Sequence, residues 1–127
     1  MSSCVETVLL VEDDEMVRTI IADSLRAQGY TVMDACRGDE ALLLCECHCG
    51  PVHILVTDIM MPGMNGLELA ERVIKFHPQI RVLFMSGYAE AGITRDSGTT
   101  PRTVFLQKPF RLDVLNRTLR EVLDGGR

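Results

Sequence analysis

Reactive side chains stand directly after short apolar segments at four places in the sequence. Glu12 and Asp13 follow TVLLV, Asp58 follows HILVT, Ser86 follows RVLFM and Lys108 follows TVFLQ. If these segments are parallel strands of one open sheet, their carboxyl ends meet at the edge where such sheets bind ligands. Acids gathered at one edge repel one another unless a positive charge lies among them, so the set makes little sense as packing alone.

Carboxylates in this arrangement indicate a hard divalent cation. Proteins bind Mg²⁺ through one or two carboxylates together with water and phosphate. We therefore expect Mg²⁺ at the acids, with Mn²⁺ as the alternative. An aspartate carboxylate can accept a phosphoryl group, and such transfer is catalysed mainly by positioning and by neutralising charge on the equatorial oxygens. The metal, Ser86 and Lys108 would supply that neutralisation.

Each of these residues by itself has a simpler explanation. A lone lysine is usually a solvated surface residue, and a lone serine after a strand usually belongs to a turn. Only the joint placement of Ser86 and Lys108 with the acids favours a site. Asp14, by contrast, is expected to cap the helix that follows it.

The segments that must position these side chains alternate between two patterns. Short apolar and β-branched runs predict five strands, at Thr7–Val11, Thr31–Ala35, His53–Thr57, Arg81–Met85 and Thr103–Gln107. Apolar residues at helical spacing predict helices from Asp14 to Gly29, Asp39 to Cys47, Leu67 to His77 and Leu112 to Leu123. Because parallel neighbours need crossover connections, the alternation predicts an α/β fold with a doubly wound sheet.

The fourth strand–helix cycle is the weak one. Its segment, residues 89–102, contains Gly92, Gly98 and Pro101 and shows little apolar periodicity. Glycine and proline disfavour helix interiors, so we expect a short or mobile helix there.

Length and composition limit the possible functions. At 127 residues the chain fits one domain, 1–127, with one site. A formal net charge of -5 argues against direct binding of nucleic acid through its phosphates. No apolar run approaches the roughly 20 residues that span a bilayer, and MSSCVET lacks the order of a secretion signal. We therefore expect no membrane insertion and a cytoplasmic location.

The cysteine content agrees with that location. Five cysteines in a chain without an export signal predict reduced thiols and no disulfide framework. Three of them lie in the tract Cys45-Glu46-Cys47-His48-Cys49. Its one-residue gaps do not match the usual zinc spacings, so free thiols at a helix end are favoured over a soft-metal site.

Four motifs resemble the response-regulator receiver family of two-component signalling. They are VLLVEDDE (8–15), VTDIMMPGMNGLEL (56–69), FMSGY (84–88) and FLQKPF (105–110). They occur in the family's order and spacing over nearly the whole chain, which is far more specific than any single acid pair. The resemblance implies a flavodoxin-like fold with five strands in the order 2-1-3-4-5.

The resemblance also implies a role for each residue of the site. Asp58 would be phosphorylated by a phosphohistidine on a histidine kinase or a histidine phosphotransfer domain. Ser86 and Lys108 would contact the phosphoryl group. Phe105 would occupy the aromatic switch position, although an aromatic packed on an edge strand explains it equally well. The metal ligands would be Asp13 and Asp58 directly, Glu12 through water, and the backbone carbonyl of Met60.

Such a domain is a signalling module and not an enzyme in the ordinary sense, although it promotes its own phosphorylation and dephosphorylation. Activation would be a population shift between two arrangements of the loops after strands four and five. Met60 and Tyr88 flank the position of the attacking water in this family, and neither carries a carboxylate or amide. We therefore expect slow loss of the phosphoryl group.

Other functions on this architecture fit less well. An aspartate-based phosphatase typically carries a second Asp two residues after its nucleophile, where this chain has Met60. A nucleotide-binding module needs a glycine-rich loop after its first strand, where this chain has acids. A degenerate receiver that only docks a partner remains an alternative, which labelling with acetyl phosphate decides. MSGY (85–88) and FLQKPF (105–110) are similar to segments of receivers at the ends of hybrid histidine kinases. A homodimer formed through the fourth and fifth helices is a further alternative.

Overall fold

The computed structural model describes residues 6–86 and 103–125, which form a five-stranded parallel sheet flanked by helices. The strand order β2-β1-β3-β4-β5 confirms the predicted doubly wound topology. The strands are β1 Thr7–Val11, β2 Thr31–Ala35, β3 Ile54–Asp58, β4 Arg81–Ser86 and β5 Thr103–Gln107. The helices within the described residues are α1 Glu15–Ala27, α2 Gly38–Cys47, α3 Gly66–Phe76 and α4 Leu112–Gly125.

The central strands are buried on both faces, which explains why they appear in the sequence as continuous apolar runs. Every residue of β1 and β3 is buried. Successive side chains of a strand point to opposite faces, so Leu55 joins one core and Ile54 and Val56 the other. The first core is closed by α2 and α3, and the second by α1 and α4.

Polar caps start two of the helices where the sequence requires them. The Asp14 carboxylate accepts the backbone N–H groups of Met16 and Val17 at the start of α1, which confirms the predicted cap. The Asn65 side chain accepts the N–H of Glu68 at the start of α3. These caps fix the point where each helix leaves the loop that follows a strand.

Most predicted boundaries lie within one or two residues of the observed ones. β3 begins at Ile54 and includes Asp58, whereas the sequence placed Asp58 just after the strand. α3 begins at Gly66, one residue early, and α4 extends to Gly125. Terminal residues of an element have weak pattern signals because only some of their backbone bonds are formed. The predicted helix in 89–102, and Tyr88, lie outside the described residues.

None of the described helices is both long and apolar enough to cross a bilayer.

Candidate functional site

Three carboxylates meet at the carboxyl end of the central strands. Oxygens of Glu12, Asp13 and Asp58 all lie within 4.8 Å of one another. Glu12 and Asp13 follow β1 directly, and Asp58 is the last residue of β3, which pairs with β1 in parallel. Glu12 and Asp58 are buried, at 1% and 6% exposed, whereas Asp13 faces solvent. The sheet therefore brings together the acids that the sequence singled out.

Lys108 connects two of these acids across the sheet. Its Nζ lies 2.7 Å from Oδ1 of Asp58 and 3.0 Å from Oε1 of Glu12. Its backbone N–H donates at 2.7 Å to the carbonyl of Ser86, which forms the last residue pair of β4 and β5 with Gln107. Ser86 itself is 2% exposed. The predicted amine and hydroxyl residues thus lie at the same edge of the sheet as the acids.

Burial makes the charge of this cluster costly. Burial, followed by the neighbouring Glu12, raises the pKa of Asp58 to about 7, against the opposing effect of Lys108. Burial alone would lower the pKa of Lys108, but its bonds to Asp58 and Glu12 outweigh burial and raise that pKa. One ammonium group therefore only partly offsets the acids around it.

The donor set fits a divalent metal ion. All three side chains offer carboxylate oxygens, which hard cations such as Mg²⁺ prefer. The raised pKa of Asp58 indicates that added positive charge would favour its ionised form. In the part of the chain that the structure describes, no other trio of acidic, histidine or cysteine side chains brings ligand atoms so close together.

Two further predicted residues have less direct support. Met60 lies two residues beyond Asp58, with its side chain 64% exposed, and the role of its carbonyl stays a prediction. Phe105 stacks on Phe84 of the neighbouring strand, with ring centroids 5.3 Å apart and planes 16° apart. Its ring packs against the core formed with α2 and α3. The switch role of Phe105 also stays a prediction.

Backbone contacts hold Asp58 in ways that the sequence did not reveal. The Thr57 hydroxyl donates to the Asp58 carbonyl at 2.9 Å. Gly66 packs so closely on that carbonyl that a Cβ atom there would overlap the Asp58 oxygen. The Gly66 N–H donates to the Ile59 carbonyl at 2.7 Å. Gly66 stands directly before the predicted helix from Leu67, and a glycine that close to a helix start is the signal that could have identified it, since glycine disfavours helices.

The thiols of the cysteine tract are free and lie in different environments. Cys45 is buried, and burial raises the pKa of its thiol to about 11. Cys47 and Cys49 are exposed and free, with His48 partly buried between them. This arrangement agrees with free thiols at the end of α2, as the spacing predicted.

Comparison with known proteins places this geometry in context. The sequence profile of the response regulator receiver domain matches residues 8–120. The chain is 43% identical over 118 residues to the sensor kinase CckA of Brucella abortus (strain 2308). That alignment covers 93% of this chain but only 12% of the kinase. The response regulator receiver protein CpdR of the same strain is 33% identical over 116 residues, covering 91% of this chain and 95% of CpdR.

Solved structures of receiver proteins also superpose on this chain. The receiver domain of the hybrid histidine kinase CckA superposes with a TM-score of 0.77 at 32% identity, over 92% of this chain and 98% of that one. The Vibrio cholerae chemotaxis protein CheY4 superposes with a TM-score of 0.82 at 26% identity, over 94% and 99% of the two chains.

Proposed function

Because the chain belongs to the response regulator receiver domain family and is a phosphoacceptor of phosphorelay signalling, we propose that Asp58 is the residue that receives the phosphoryl group. The observation that carries this assignment is the contact of Lys108 Nζ with both Asp58 and Glu12, 2.7 Å and 3.0 Å away. This contact joins a buried aspartate, a cation and a second buried acid at one edge of the sheet, and Asp13 lies beside them.

The donor in this proposal is a phosphohistidine on a histidine kinase or a histidine phosphotransfer domain. An oxygen of Asp58 forms the new P–O bond while the P–N bond to the imidazole breaks. The imidazole leaves with the electron pair of that bond and takes up a proton. Receivers act in signalling, and we propose that this chain's own residues promote both the gain and the loss of the phosphoryl group.

The chain's residues divide the work of transfer. Glu12, Asp13, Asp58 and the Met60 carbonyl would hold Mg²⁺, which supplies positive charge to the phosphoryl oxygens. Mn²⁺ offers the same hard, divalent chemistry. Lys108 gives up its contact with the Asp58 carboxylate to pair with a phosphoryl oxygen, and the Ser86 hydroxyl donates to another. Both donors lie at this edge of the sheet before transfer, so the positive charge and the hydroxyl come from groups already near the reacting oxygen.

The proposed switch connects this site to the edge of the sheet. Ser86 ends β4, and its carbonyl accepts the N–H of Lys108 just after β5. Phe105, two residues before the end of β5, stacks on Phe84 of β4. Phosphoryl contacts made by Ser86 and Lys108 would favour one arrangement of the loops after β4 and β5, and Phe105 would follow.

The biological setting is also a proposal. Because this chain spans 12% of the length of the CckA kinase, a receiver within a hybrid histidine kinase is one setting, and a separate response regulator like CpdR is the other. A homodimer is compatible with either setting. All of the described cysteines are free thiols, and free thiols are typical of the reducing cytoplasm, which we propose as the location.

Intact mass after incubation with acetyl phosphate and Mg²⁺ tests the assignment. We expect the native chain to gain the mass of one phosphoryl group and Asp58→Asn to gain none. Chelation of the metal with EDTA should abolish the gain. If the native chain never gained this mass, it would be a receiver that only docks a partner and does not accept a phosphoryl group. If Asp58→Asn gained the mass as well, the acceptor would be a residue other than Asp58.

A further inference from the structure

Arg18 of α1 ties the acidic loop after β1 to strand β2. Its Nη1 donates to the Glu12 carbonyl at 2.8 Å, and its Nε pairs with Oδ2 of Asp34 at 3.3 Å. The Arg18 side chain is 16% exposed and that of Asp34 36%, so these contacts are partly buried. The Glu12 carbonyl belongs to the peptide that leads directly into Asp13. Arg18 therefore holds the backbone between two of the three acids.

The remaining contacts of this loop explain why such an anchor matters. The Glu12 N–H donates to the Ala35 carbonyl, and Oε2 of Glu12 accepts the N–H of Asp14. These bonds hold Glu12 itself, whereas Asp13 is exposed and makes no side-chain hydrogen bond within the described residues. The direction of the Asp13 carboxylate therefore depends on the peptide that Arg18 grips.

We propose that Arg18 is a positioning residue of the metal site, which holds the Glu12–Asp14 loop so that the carboxylates of Glu12 and Asp13 face Asp58. This inference rests on the proposed function, because it assigns the acids to a divalent cation. Groups that orient the ligands of a metal commonly change its affinity by roughly 10-fold to 100-fold when they are removed.

The sign of the effect separates positioning from simple charge. A guanidinium near three acids repels an incoming cation, so a purely electrostatic role predicts tighter metal binding once Arg18 is removed. A positioning role predicts weaker binding, because the released loop must be ordered again when the ion binds. The two roles therefore predict opposite changes in the dissociation constant.

The structure offers a matched control on the same helix. Arg26 also pairs with Asp34, through Nη2 and Oδ1 at 3.3 Å, and donates to the Val32 carbonyl. It makes no hydrogen bond to Glu12, Asp13 or Asp14 among the described contacts. Arg26→Ala thus removes the same charge and an ion pair with the same partner, but leaves the grip on the loop intact.

Titration with Mn²⁺ alone, followed through the electron paramagnetic resonance signal of free Mn²⁺, tests the inference without phosphorylation. We expect Arg18→Ala to weaken Mn²⁺ binding about tenfold, and Arg26→Ala to change it less than twofold. Arg18→Lys keeps the positive charge but cannot contact the Glu12 carbonyl and Asp34 at the same time, as a guanidinium does. We therefore expect this variant to bind Mn²⁺ more weakly than the native chain. Urea unfolding of both alanine variants checks that each is folded at the temperature of the titration.

Each outcome of the titration is decisive. Equal or tighter Mn²⁺ binding by Arg18→Ala, or an equal loss in Arg26→Ala, would overturn the positioning role while leaving the proposed function intact. A native chain that binds no Mn²⁺ would instead overturn the metal site and this inference together. Backbone amide chemical shifts of Asp13 and Asp14 in the metal-free protein should change in Arg18→Ala and not in Arg26→Ala.

Discussion

At the amino end of the sheet, the Nη1 and Nη2 groups of Arg120 in α4 donate hydrogen bonds to the two carboxylate oxygens of Glu6, at 3.3 Å and 2.7 Å. At the carboxyl end, Lys108 reaches one oxygen each of Glu12 and Asp58. Both ends thus place a cation against partly or fully buried acid. The pKa values of the acids nevertheless move in opposite directions, since that of Glu6 is lowered and that of Asp58 is raised.

The geometry of the two ends explains this difference. Arg120 engages Glu6 through a two-point fork, stacks over the Tyr30 ring at 5.9 Å and also pairs with Asp124. The hydrogen bond from Arg120 lowers the pKa of Glu6 more than the partial burial of Glu6 raises it. Asp58 is more deeply buried, and the effect of burial on its pKa, together with that of the neighbouring Glu12, outweighs the effect of Lys108. At the amino end the basic side chain therefore stabilises the ionised form of Glu6. At the carboxyl end one lysine does not offset the burial and mutual repulsion of the acids.

We conclude that the two ends serve different purposes. A satisfied pair contributes to stability and needs no ligand. A cluster with uncompensated negative charge favours binding of a cation, and perturbed carboxylates of this kind concentrate at functional sites. The comparison predicts that substitutions at the carboxyl end change phosphorylation, whereas substitutions at the amino end change the free energy of unfolding.

Removal of Lys108 should produce the largest effect. Lys108→Ala takes away the cation that faces the phosphoryl oxygens, and loss of one such donor commonly slows a reaction by roughly 10²-fold or more. We expect the rate of phosphorylation by acetyl phosphate to fall by about that factor. Arg120→Ala is the matched change at the other end, and it should lower the free energy of unfolding but leave that rate unchanged. Equal rates for Lys108→Ala and the native chain would break the comparison.

The next largest effect is expected from Gly66→Ala, which crowds the Asp58 backbone. In Gly66→Ala the new methyl group overlaps the Asp58 carbonyl, so β3 and α3 must move apart. We expect destabilisation of about 2 kcal/mol, typical of overpacking, together with slower phosphorylation in a mass-spectrometric time course.

Gly63, three residues before Gly66, provides the control for that substitution. Gly63 has a φ of 81°, and a Cβ there would meet nothing within 4 Å. Gly63→Ala should therefore cost about 1 kcal/mol through its backbone conformation and spare phosphorylation. If the two variants phosphorylated equally slowly, the contact with Asp58 would not be the cause.

Decay of the phosphorylated protein tests the position of Met60. An amide there could orient the attacking water but not take its proton, so Met60→Asn should shorten the half-life by about tenfold, less than the roughly 10²-fold of a full acid–base group. Intact mass after removal of the phosphodonor gives the half-life. Met16 is also an exposed methionine, and Met16→Asn should leave the half-life as it was. An unchanged half-life in Met60→Asn would contradict the expectation of slow hydrolysis through this position.

The smallest effect concerns the pH dependence of the amino end. The pKa of Glu6 is lower in the folded chain than its ordinary value of 4.5, so the unfolded chain takes up this proton first as the pH falls. The stabilisation is complete above about pH 4.5 and is lost as the pH falls through the lower, folded pKa. Because Arg120 is 41% exposed, solvent screens the pair, and we expect about 1 kcal/mol.

Urea unfolding of the native chain and Glu6→Gln measures this contribution. The difference in unfolding free energy should be constant from pH 7 down to about 4.5. It should then shrink as the pH falls further. A difference that grew on acidification would mean that the pKa of Glu6 is not lowered by folding.

Much of the fold and the site could be predicted from the sequence because both have local signals. The apolar run of β1 and the acids after it are adjacent in the chain, and the parallel sheet brings such strand ends together by rule. Asp14 was predicted as a cap for the same reason, since its partners Met16 and Val17 are close neighbours in sequence. The order of the strands came only with the resemblance to a family.

Other features depend on residues far apart in the chain. Glu6 and Arg120 are 114 positions apart, and Lys108 and Glu12 are 96 apart. Nothing local in the sequence identifies Arg120 as the partner of Glu6, because many exposed arginines would satisfy the same pattern. The overlap at Gly66 likewise depends on how closely α3 packs on the end of β3.

The sequence alone determined which side chains stand at the ends of the strands, because an apolar run followed by polar residues is a local pattern of neighbouring positions. Tertiary structure decided how their charges are balanced, since burial and the approach of distant cations set the cost of each ionised acid. That is why Glu6 and Asp58, both acids beside a basic residue, differ in the direction of their pKa shifts and in their roles.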